Sequence, residues 1–143
     1  MQVRNAIYED CERLLVISQN DLGYTDCTLE NLQTQFKKLD SKREQVFVVE
    51  IEGTVAGFIH VAKYDVLYAE PLVNVLGLAV DSNYRRQGIG RTLLLKAEEW
   101  GKSVGAKAIR LNSGESRTEA HKFYRMQGYD MERLQKRFMK YLK

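Results

Sequence analysis

The chain is short of structure breakers: it has one proline, Pro71, and no stretch of Gly, Ser or Pro that reads as a linker. No domain boundary is visible, and 143 residues suit one domain. Cysteine is scarce. Cys11 and Cys27 form no C-x-x-C pair and have no neighbouring His, so no metal site is indicated. Cys11 falls on the apolar side of an expected helix and reads as a small core residue, which fits a reducing, cytoplasmic setting. No stretch approaches the roughly 20 apolar residues of a membrane span, and residues 1–8 carry Arg4 but no long apolar region, so neither a membrane partner nor a secretory signal is expected. An excess of one charge is lacking too. The 22 basic and 19 acidic residues leave a net +3, and the basic ones gather at one loop rather than along a face with stacking aromatics, so nucleic acid is a poor fit as a partner. What is present is an ordinary 44% of apolar residues, enough for a real core.

Periodicity and turn signals order that material. Gln2 to Ile7 reads as a strand, followed by a helix from about Glu9 to Gln19 with Cys11, Leu14, Leu15 and Ser18 on one face. Asp21 to Cys27 is a loop marked by Gly23. Thr28 is placed to cap a second helix that runs to about Leu39, with Leu29, Leu32 and Phe36 as its stripe. Gln45–Ile51 and Thr54–Tyr64 are strands, and Glu52-Gly53 between them signals a tight antiparallel hairpin. Val73–Val80 is apolar on both alternating faces, as in a strand covered on both sides. Gly88–Val104 is the longest helix, with Ile89, Leu93, Ala97, Trp100 and Val104 at helical spacing. Ala108–Asn112 is a strand. Ser116–Met126 is a helix, opened by a capping box over Ser116 to Glu119 and stopped by Gly128. Tyr129–Leu134 and Arg137–Leu142 read as two last strands. The order β-α-α-β-β-β-α-β-α-β-β is a mixed α/β sheet with helices on both faces, and its central β-α-β unit is expected to cross over right-handed with parallel strands.

The chemical signal lies between the buried strand and the longest helix, in Arg85-Arg86-Gln87-Gly88-Ile89-Gly90-Arg91. The two glycines let the backbone come close to a bulky anion. The first turn of a helix leaves N–H groups unpaired and adds partial positive charge, which suits a pyrophosphate. Arg85, Arg86 and Arg91 add guanidinium groups matched to phosphate geometry. A solvated turn at a Gly-rich helix start is the bland alternative. Gly-x-Gly without a third glycine disfavours a dinucleotide fold, and no GxxxxGK[ST] of a P-loop is present.

Several stretches in this order resemble the Gcn5-related N-acetyltransferase superfamily, over nearly the whole length. They are Arg4-x-Ala6 with Glu9-Asp10, and Val75-Leu76-Gly77-Leu78-Ala79-Val80 ahead of the Arg-x-x-Gly-x-Gly loop. Ala120-His121-Lys122-Phe123-Tyr124 with Gly128-Tyr129 completes the set. The resemblance implies an acetyl-coenzyme A-dependent transferase without a metal. The amides of Arg86, Gln87, Gly88, Ile89, Gly90 and Arg91 would hold the pyrophosphate, with Arg85 beside them. It also implies that the strand ending at Val80 splays from the Ala108–Asn112 strand to leave a slot for the pantetheine arm. Gly77 fits a bulge at that split. In this picture Leu78 and Val80, with Ala79 between them, pair with the arm through their backbone. Asn112 touches the arm, and Ser116 is a helix cap first and a ligand contact second.

The reaction that the resemblance implies is direct attack of an amine on the thioester in a ternary complex. Tyr124 matches the family's general acid, and a phenol stays protonated at neutral pH, ready to donate to the leaving thiolate. A backbone N–H at or next to Leu78 would serve the oxyanion. For the base, Glu70, Tyr64 and His60 stand near strand ends, with packing or solvation as the plainer role of each, and a water chain as a substitute. None is nominated. His121 shares a face with Tyr124 and reads as a solvent or coenzyme A contact. Lys122 and Arg125 read as a solvated basic surface. The acceptor site is expected from the first two helices, their loop and the strand ends near Tyr64 to Pro71. There Tyr24, Asp26, Tyr64, Asp65, Tyr68 and Glu70 would suit a cationic amine. A small-molecule amine is the expected acceptor, a protein N-terminus or lysine the alternative, and a non-catalytic acyl-coenzyme A-binding module the reading from another class. A monomer or a homodimer is expected, the latter through an edge strand of the terminal hairpin Tyr129 to Leu142.

Overall fold

A computed structural model describes residues 1–131 and 133–143, and divides them into two compact units, Met1–Leu111 and Asn112–Lys143. The first unit holds five strands, β1 (Gln2–Asn5), β2 (Glu44–Ile51), β3 (Thr54–Tyr64), β4 (Leu72–Val80) and β5 (Ile109–Leu111), with helices α1 (Cys11–Asp21), α2 (Leu29–Lys37) and α3 (Ile89–Ser103). The sheet order is β1-β2-β3-β4-β5, antiparallel except for the parallel β4–β5 pair that the α3 crossover joins. This is the expected mixed α/β order through its central β-α-β unit. The β2–β3 hairpin turns on Glu52 and Gly53, with φ of 49° and 81°, the two positive values of a type I′ turn.

Two apolar layers sandwich the sheet. On one face Leu14 and Ile17 of α1 pack with Val48, Val55, Phe58 and Ala79, flanked by Leu32 and Phe36 of α2. Buried Ile17, rather than Leu15 or Ser18, completes the α1 stripe with Cys11 and Leu14. Burial pushes the Cys11 thiol up, as suits an inert core residue. On the other face, Ile89, Leu93 and Ala97 of α3 are buried as expected, with Trp100 and Val104 partly so. Here α3 comes unusually close to β3: a Cβ on Gly57 would lie 2.9 Å from Ile89 Cγ2 and 3.0 Å from the Ala79 carbonyl oxygen. Thr28 caps α2 as expected, its hydroxyl accepting from the Asn31 N–H at 3.1 Å.

Two charged clusters pin the layers. Arg4 donates to both oxygens of Asp10 at 2.8 and 3.0 Å and to Glu50 at 3.0 Å, while Asp10 also accepts the Ile7 N–H at 2.8 Å. Arg13 of α1 donates to the Val55 carbonyl at 2.8 and 3.0 Å and to Asp81 at 2.6 Å.

The second unit contains α4 (Thr118–Met126). It begins two residues later than expected, and the capping box does not form. The Arg117 N–H donates to the Gly114 carbonyl and the Thr118 N–H to that of Ser116, so backbone turns lead into the helix, and Arg117 rather than Ser116 is its N-cap. Gly128, at φ 90°, ends the helix as expected. The two last strands, Tyr129–Leu134 and Arg137–Leu142, are not found: residues 129–131 and 133–143 form no helix or strand, and residue 132 lies outside the described residues. The edge strand expected to support a dimer is therefore absent among the described residues. Alternation alone does not hold a strand, because a lone two-stranded hairpin is marginal, and Gln135-Lys136 offers no tight-turn residue to join the pair.

Two predictions follow from this packing. Gly57→Ala forces Ile89 and a backbone carbonyl to move, so a loss of about 1–3 kcal/mol is expected from the urea midpoint at unchanged m-value. For Asp10, burial alone would raise the carboxyl, but the Arg4 and Ile7 hydrogen bonds and the Arg4 charge outweigh it and leave it below the usual range. Asp81 is lowered by the hydrogen bonds from Arg13 and Asn83. Depressed folded values mean that the unfolded chain binds protons first. The stability these groups confer is thus present above the ordinary carboxylate pKa of about 3.9 and lost as pH falls through the folded values. Thermal melts should drop steeply below about pH 4, and Asp10→Asn should be less stable at pH 7 with a flatter acid limb.

Candidate functional site

Three local features converge where β4 leaves its neighbour. The first is a bulge. Val61 of β3 pairs with Val75 and His60 with Gly77, so β4 carries one extra residue, Leu76. The second is a parting of strands. β4 pairs with β5 only from Val73 to Val75, opposite Ile109 to Leu111, so no strand pairs with Leu76–Val80 on that side among the described residues.

Together these fix which backbone groups face the gap. The Val73 N–H donates toward β5, to the Ala108 carbonyl, at 3.0 Å. The Asp81 N–H donates the other way, toward β3, to the Ala56 carbonyl, at 2.8 Å. Residues 73 and 81 have the same parity and would point alike in a regular strand. The extra residue reverses the alternation between them. Counting back from Asp81, Leu78 and Val80 turn their N–H and C=O groups into the gap. Ala79 turns to β3, in line with its carbonyl crowding Gly57. Of the three residues expected along the arm, Leu78 and Val80 therefore offer backbone groups there and Ala79 does not.

The third feature is the loop into α3. Arg86 and Gly88 have φ of 64° and 77°, Gly88 is the N-cap, and the first helical bond runs from the Thr92 N–H to the Gly88 carbonyl at 3.0 Å. The N–H groups of Ile89, Gly90 and Arg91 precede that bond. Left-handed residues alternating with ordinary ones form a concavity of N–H groups of the kind that binds anions, set on a helix N-terminus. Asp81 opens the loop, accepting from the Asn83 N–H at 2.8 Å while Arg13 holds it. Arg85 bends away to Asp21 at 3.2 Å, whereas Arg86, Gln87 and Arg91 are exposed. The residues present fit a diphosphate. The glycine at φ 77° has nothing within 4 Å of a built Cβ, so its role is conformational rather than steric.

Asn112, Ser116 and Tyr124 belong to the second unit. Asn112 follows β5 directly and is exposed, as is Ser116. The Tyr124 ring stacks edge-on against Phe123 and Tyr129, with centroids at 5.3 and 6.2 Å. Burial raises its phenol above the ordinary value, and Arg117 pulls it partly back. It therefore stays a proton donor at neutral pH. His121 Nε2 lies 2.9 Å from the Gly114 carbonyl, a contact that anchors the loop before α4. The Ser113 hydroxyl, beside Asn112, is buried without a hydrogen-bond partner among the described residues. Sequence reasoning did not single it out, and no pattern marks it.

Among the base candidates, Glu70 pairs with Lys107 at 2.9 Å, and that hydrogen bond and charge hold its carboxyl below the usual range, which makes it a poorer base. Tyr64 lies under the Arg110 guanidinium, 4.3 Å from its ring centroid. His60 Nε2 lies 2.8 Å from Glu44 Oε1, a partner that sequence reading missed because it sits on the neighbouring strand. Tyr24 and Asp26 line an open depression after α1 with Ser18, Cys27 and Asn31. Asp65 pairs with Arg43 at 3.2 Å, and Tyr68 is exposed. Among the described residues no cluster of metal-ligating side chains occurs, and no helix is long and apolar enough to cross a membrane.

The sequence matches the acetyltransferase (GNAT) family over residues 6–129. No curated protein matches it. Among solved structures, one named a transcriptional regulator from Bacillus halodurans C-125 is 26% identical, covering 96% of this chain and 99% of its own at a TM-score of 0.83. An aminoglycoside acetyltransferase from an uncultured soil metagenomic sample, in complex with sisomicin, is 22% identical, with coverage of 99% and 96% and a TM-score of 0.82. The enzyme AAC(6')-Iy, in complex with the bisubstrate analogue CoA-S-monomethyl-acetylneamine, is 16% identical, with coverage of 99% and 98% and a TM-score of 0.82. The family match runs through the bulged strand, the loop into α3 and the α4 tyrosine, and the chain belongs to the GNAT family of acetyltransferases.

Proposed function

We propose that this chain transfers an acetyl group from acetyl-coenzyme A to a primary amine of a small molecule, by direct attack within a ternary complex. The observation that carries this reading is the reversed alternation in β4. It presents the backbone of Leu78 and Val80 along an open edge, just ahead of the loop of residues 81–88 that leads to a helix N-terminus shaped for a diphosphate. A diphosphate joined to an extended chain of amides is what such a pair of features accommodates, and coenzyme A has that form. The solved relatives named for aminoglycoside acetylation, one holding sisomicin and another a coenzyme A conjugate, support both halves.

In this reading Arg86 and Arg91 add charge to the amide concavity, and Asn112 and Ser116 contact the arm. The Leu78 N–H stabilises the developing oxyanion, fixed in advance by the ladder to β3. Tyr124 donates its proton to the leaving sulfur. Its raised phenol pKa makes complete transfer harder, so a strong hydrogen bond, or relay of the amine's own proton, is the form its help takes. We take the whole chain as one acetyltransferase domain working in the cytoplasm, as its free cysteines suit.

Calorimetric titration with coenzyme A and thiol release from acetyl-coenzyme A with a panel of primary amines test the proposal. Replacing Arg86 and Arg91 together by Ala should weaken coenzyme A at least about 10-fold, the worth of one charge-assisted hydrogen bond. Tyr124→Phe should leave that affinity unchanged and lower kcat by about 100-fold or more. A wild-type protein that ignores coenzyme A at millimolar concentration would refute the reading.

A further inference from the structure

The face of β3 that α1 and α2 cover changes character along its length. Phe58 belongs to the apolar cluster with Leu14 and Ile17. His60, two residues on, lies on the same face. Its cross-strand neighbours confirm the side: Val46 on β2 packs against that cluster, and a Cβ on Gly77 of β4 would lie 3.7 Å from the side chain of Leu22, the C-cap of α1. His60 thus stands where the cover of α1 ends, in register with the bulge and beside the residue that precedes Leu78.

Its partner is a carboxylate. His60 Nε2 and Glu44 Oε1 are 2.8 Å apart, with side chains 29% and 27% exposed. An ionised carboxylate only accepts, so Nε2 carries the hydrogen and the Nδ1 lone pair is left to take a proton. No partner for Nδ1 occurs among the described residues. An imidazole held in one tautomer by a carboxylate, with its second nitrogen free, is the arrangement of a general base. The other charged or titratable groups nearby are engaged or set apart. Arg110 donates to Asn74 at 2.9 Å and lies over Tyr64, and Asp21 at the end of α1 holds Arg85. On α2, Lys37 lies over Tyr8 at 5.2 Å, and Tyr24 and Asp26 sit on the exposed loop beyond α1.

We propose that His60, oriented by Glu44, takes the proton from the acceptor ammonium so that the free amine attacks the thioester; this rests on the acetyltransferase reading above. The N–H bond of the ammonium breaks, its electron pair stays on nitrogen, and the proton goes to Nδ1, giving an imidazolium that faces the Glu44 carboxylate. The nitrogen pair then forms the C–N bond, and the C–S bond breaks with its electrons on sulfur. A second N–H proton passes to the thiolate, directly or through the Tyr124 phenol. The products are the amide, the thiol and one proton, which His60 returns to water. His60 is the reacting group, and Glu44 is a positioning residue.

Two measurements test this. With an amine that the wild type acetylates, His60→Gln should lower kcat about 100-fold at pH 7. Its coenzyme A affinity should stay within about twofold, the acid limb of its kcat/KM profile should vanish, and added imidazole should restore part of the rate. Glu44→Gln should lower kcat by less and displace that limb. Independently of any acceptor, nitrogen-15 NMR of the histidine rings should find His60 as the Nε2–H tautomer in the wild type and a tautomer mixture in Glu44→Gln. A wild-type Nδ1–H tautomer, or full kcat with an intact acid limb in His60→Gln, overturns the proposal and leaves the transferase reading standing. Failure of the wild type to bind coenzyme A defeats both.

Discussion

One residue too many in β4 organises the first unit. If β4 matched β3 residue for residue, positions 73 to 81 would alternate without interruption and Asp81 would direct its N–H toward β5. It instead bonds to Ala56 on β3, and the extra residue at Leu76 is the reason. That single insertion turns the backbone of Leu78 and Val80 outward, just beyond Val75, where the ladder to β5 stops. A bulge costs ladder hydrogen bonds where it occurs, and a side chain at Gly77 would face Leu22 and Phe58. Glycine there leaves space where α1, β3 and β4 come together.

The exit from β4 is held by long-range contacts. Arg13 reaches from α1 to the Val55 carbonyl and to Asp81 at once, so one guanidinium ties the helix layer, the β2–β3 hairpin and the first residue of the loop into α3. Asp81 is buried, and an unpaired buried carboxylate would be costly, so Arg13 and the Asn83 N–H satisfy it together. On the opposite face the absence of a Cβ at Gly57 lets Ile89 sit against the sheet, which sets the depth of the first turn of α3. The loop with Arg86 and Gly88 in left-handed geometry is thus held at both ends, through Asp81 at its start and Ile89 at its close.

Much of this was legible in the sequence where the determinants are local. The Glu52-Gly53 turn, the Thr28 cap, the α3 stripe and the Gly88 helix start each depend on neighbours within a few residues, and each appears as expected. A bulge at Gly77 came from the resemblance, although the inserted residue is Leu76. What the sequence hid depends on register and distance. Arg13 and Asp81 are 68 residues apart, and Glu44 and His60 sit 16 apart on adjacent strands, so no spacing rule pairs them. The Ser116 box failed because the helix starts at Thr118 with Arg117 as its N-cap, one residue past the expected cap. The two terminal strands failed because a period-two pattern states only what a strand would look like if an edge received it.

The composition of β3 carries the last step. Its residues facing α3, Gly57, Ile59 and Val61, are apolar and buried throughout, as a face under a fifteen-residue helix must be. Those facing the other way run from Phe58 through His60 and Ala62 to Tyr64, from core to partly open polar groups within six residues. Helix α1 stops at Asp21, so its cover stops as well, and a strand that continues beyond its cover has to become polar or take a ligand. That transition falls in register with the bulge, at the pair His60 and Gly77. The same sheet therefore offers an outward-turned backbone along the edge of β4 and, on the face that α1 leaves uncovered, a partly open surface with a carboxylate-held imidazole. In the proposed transfer the first surface would take the acyl donor and the second the amine acceptor.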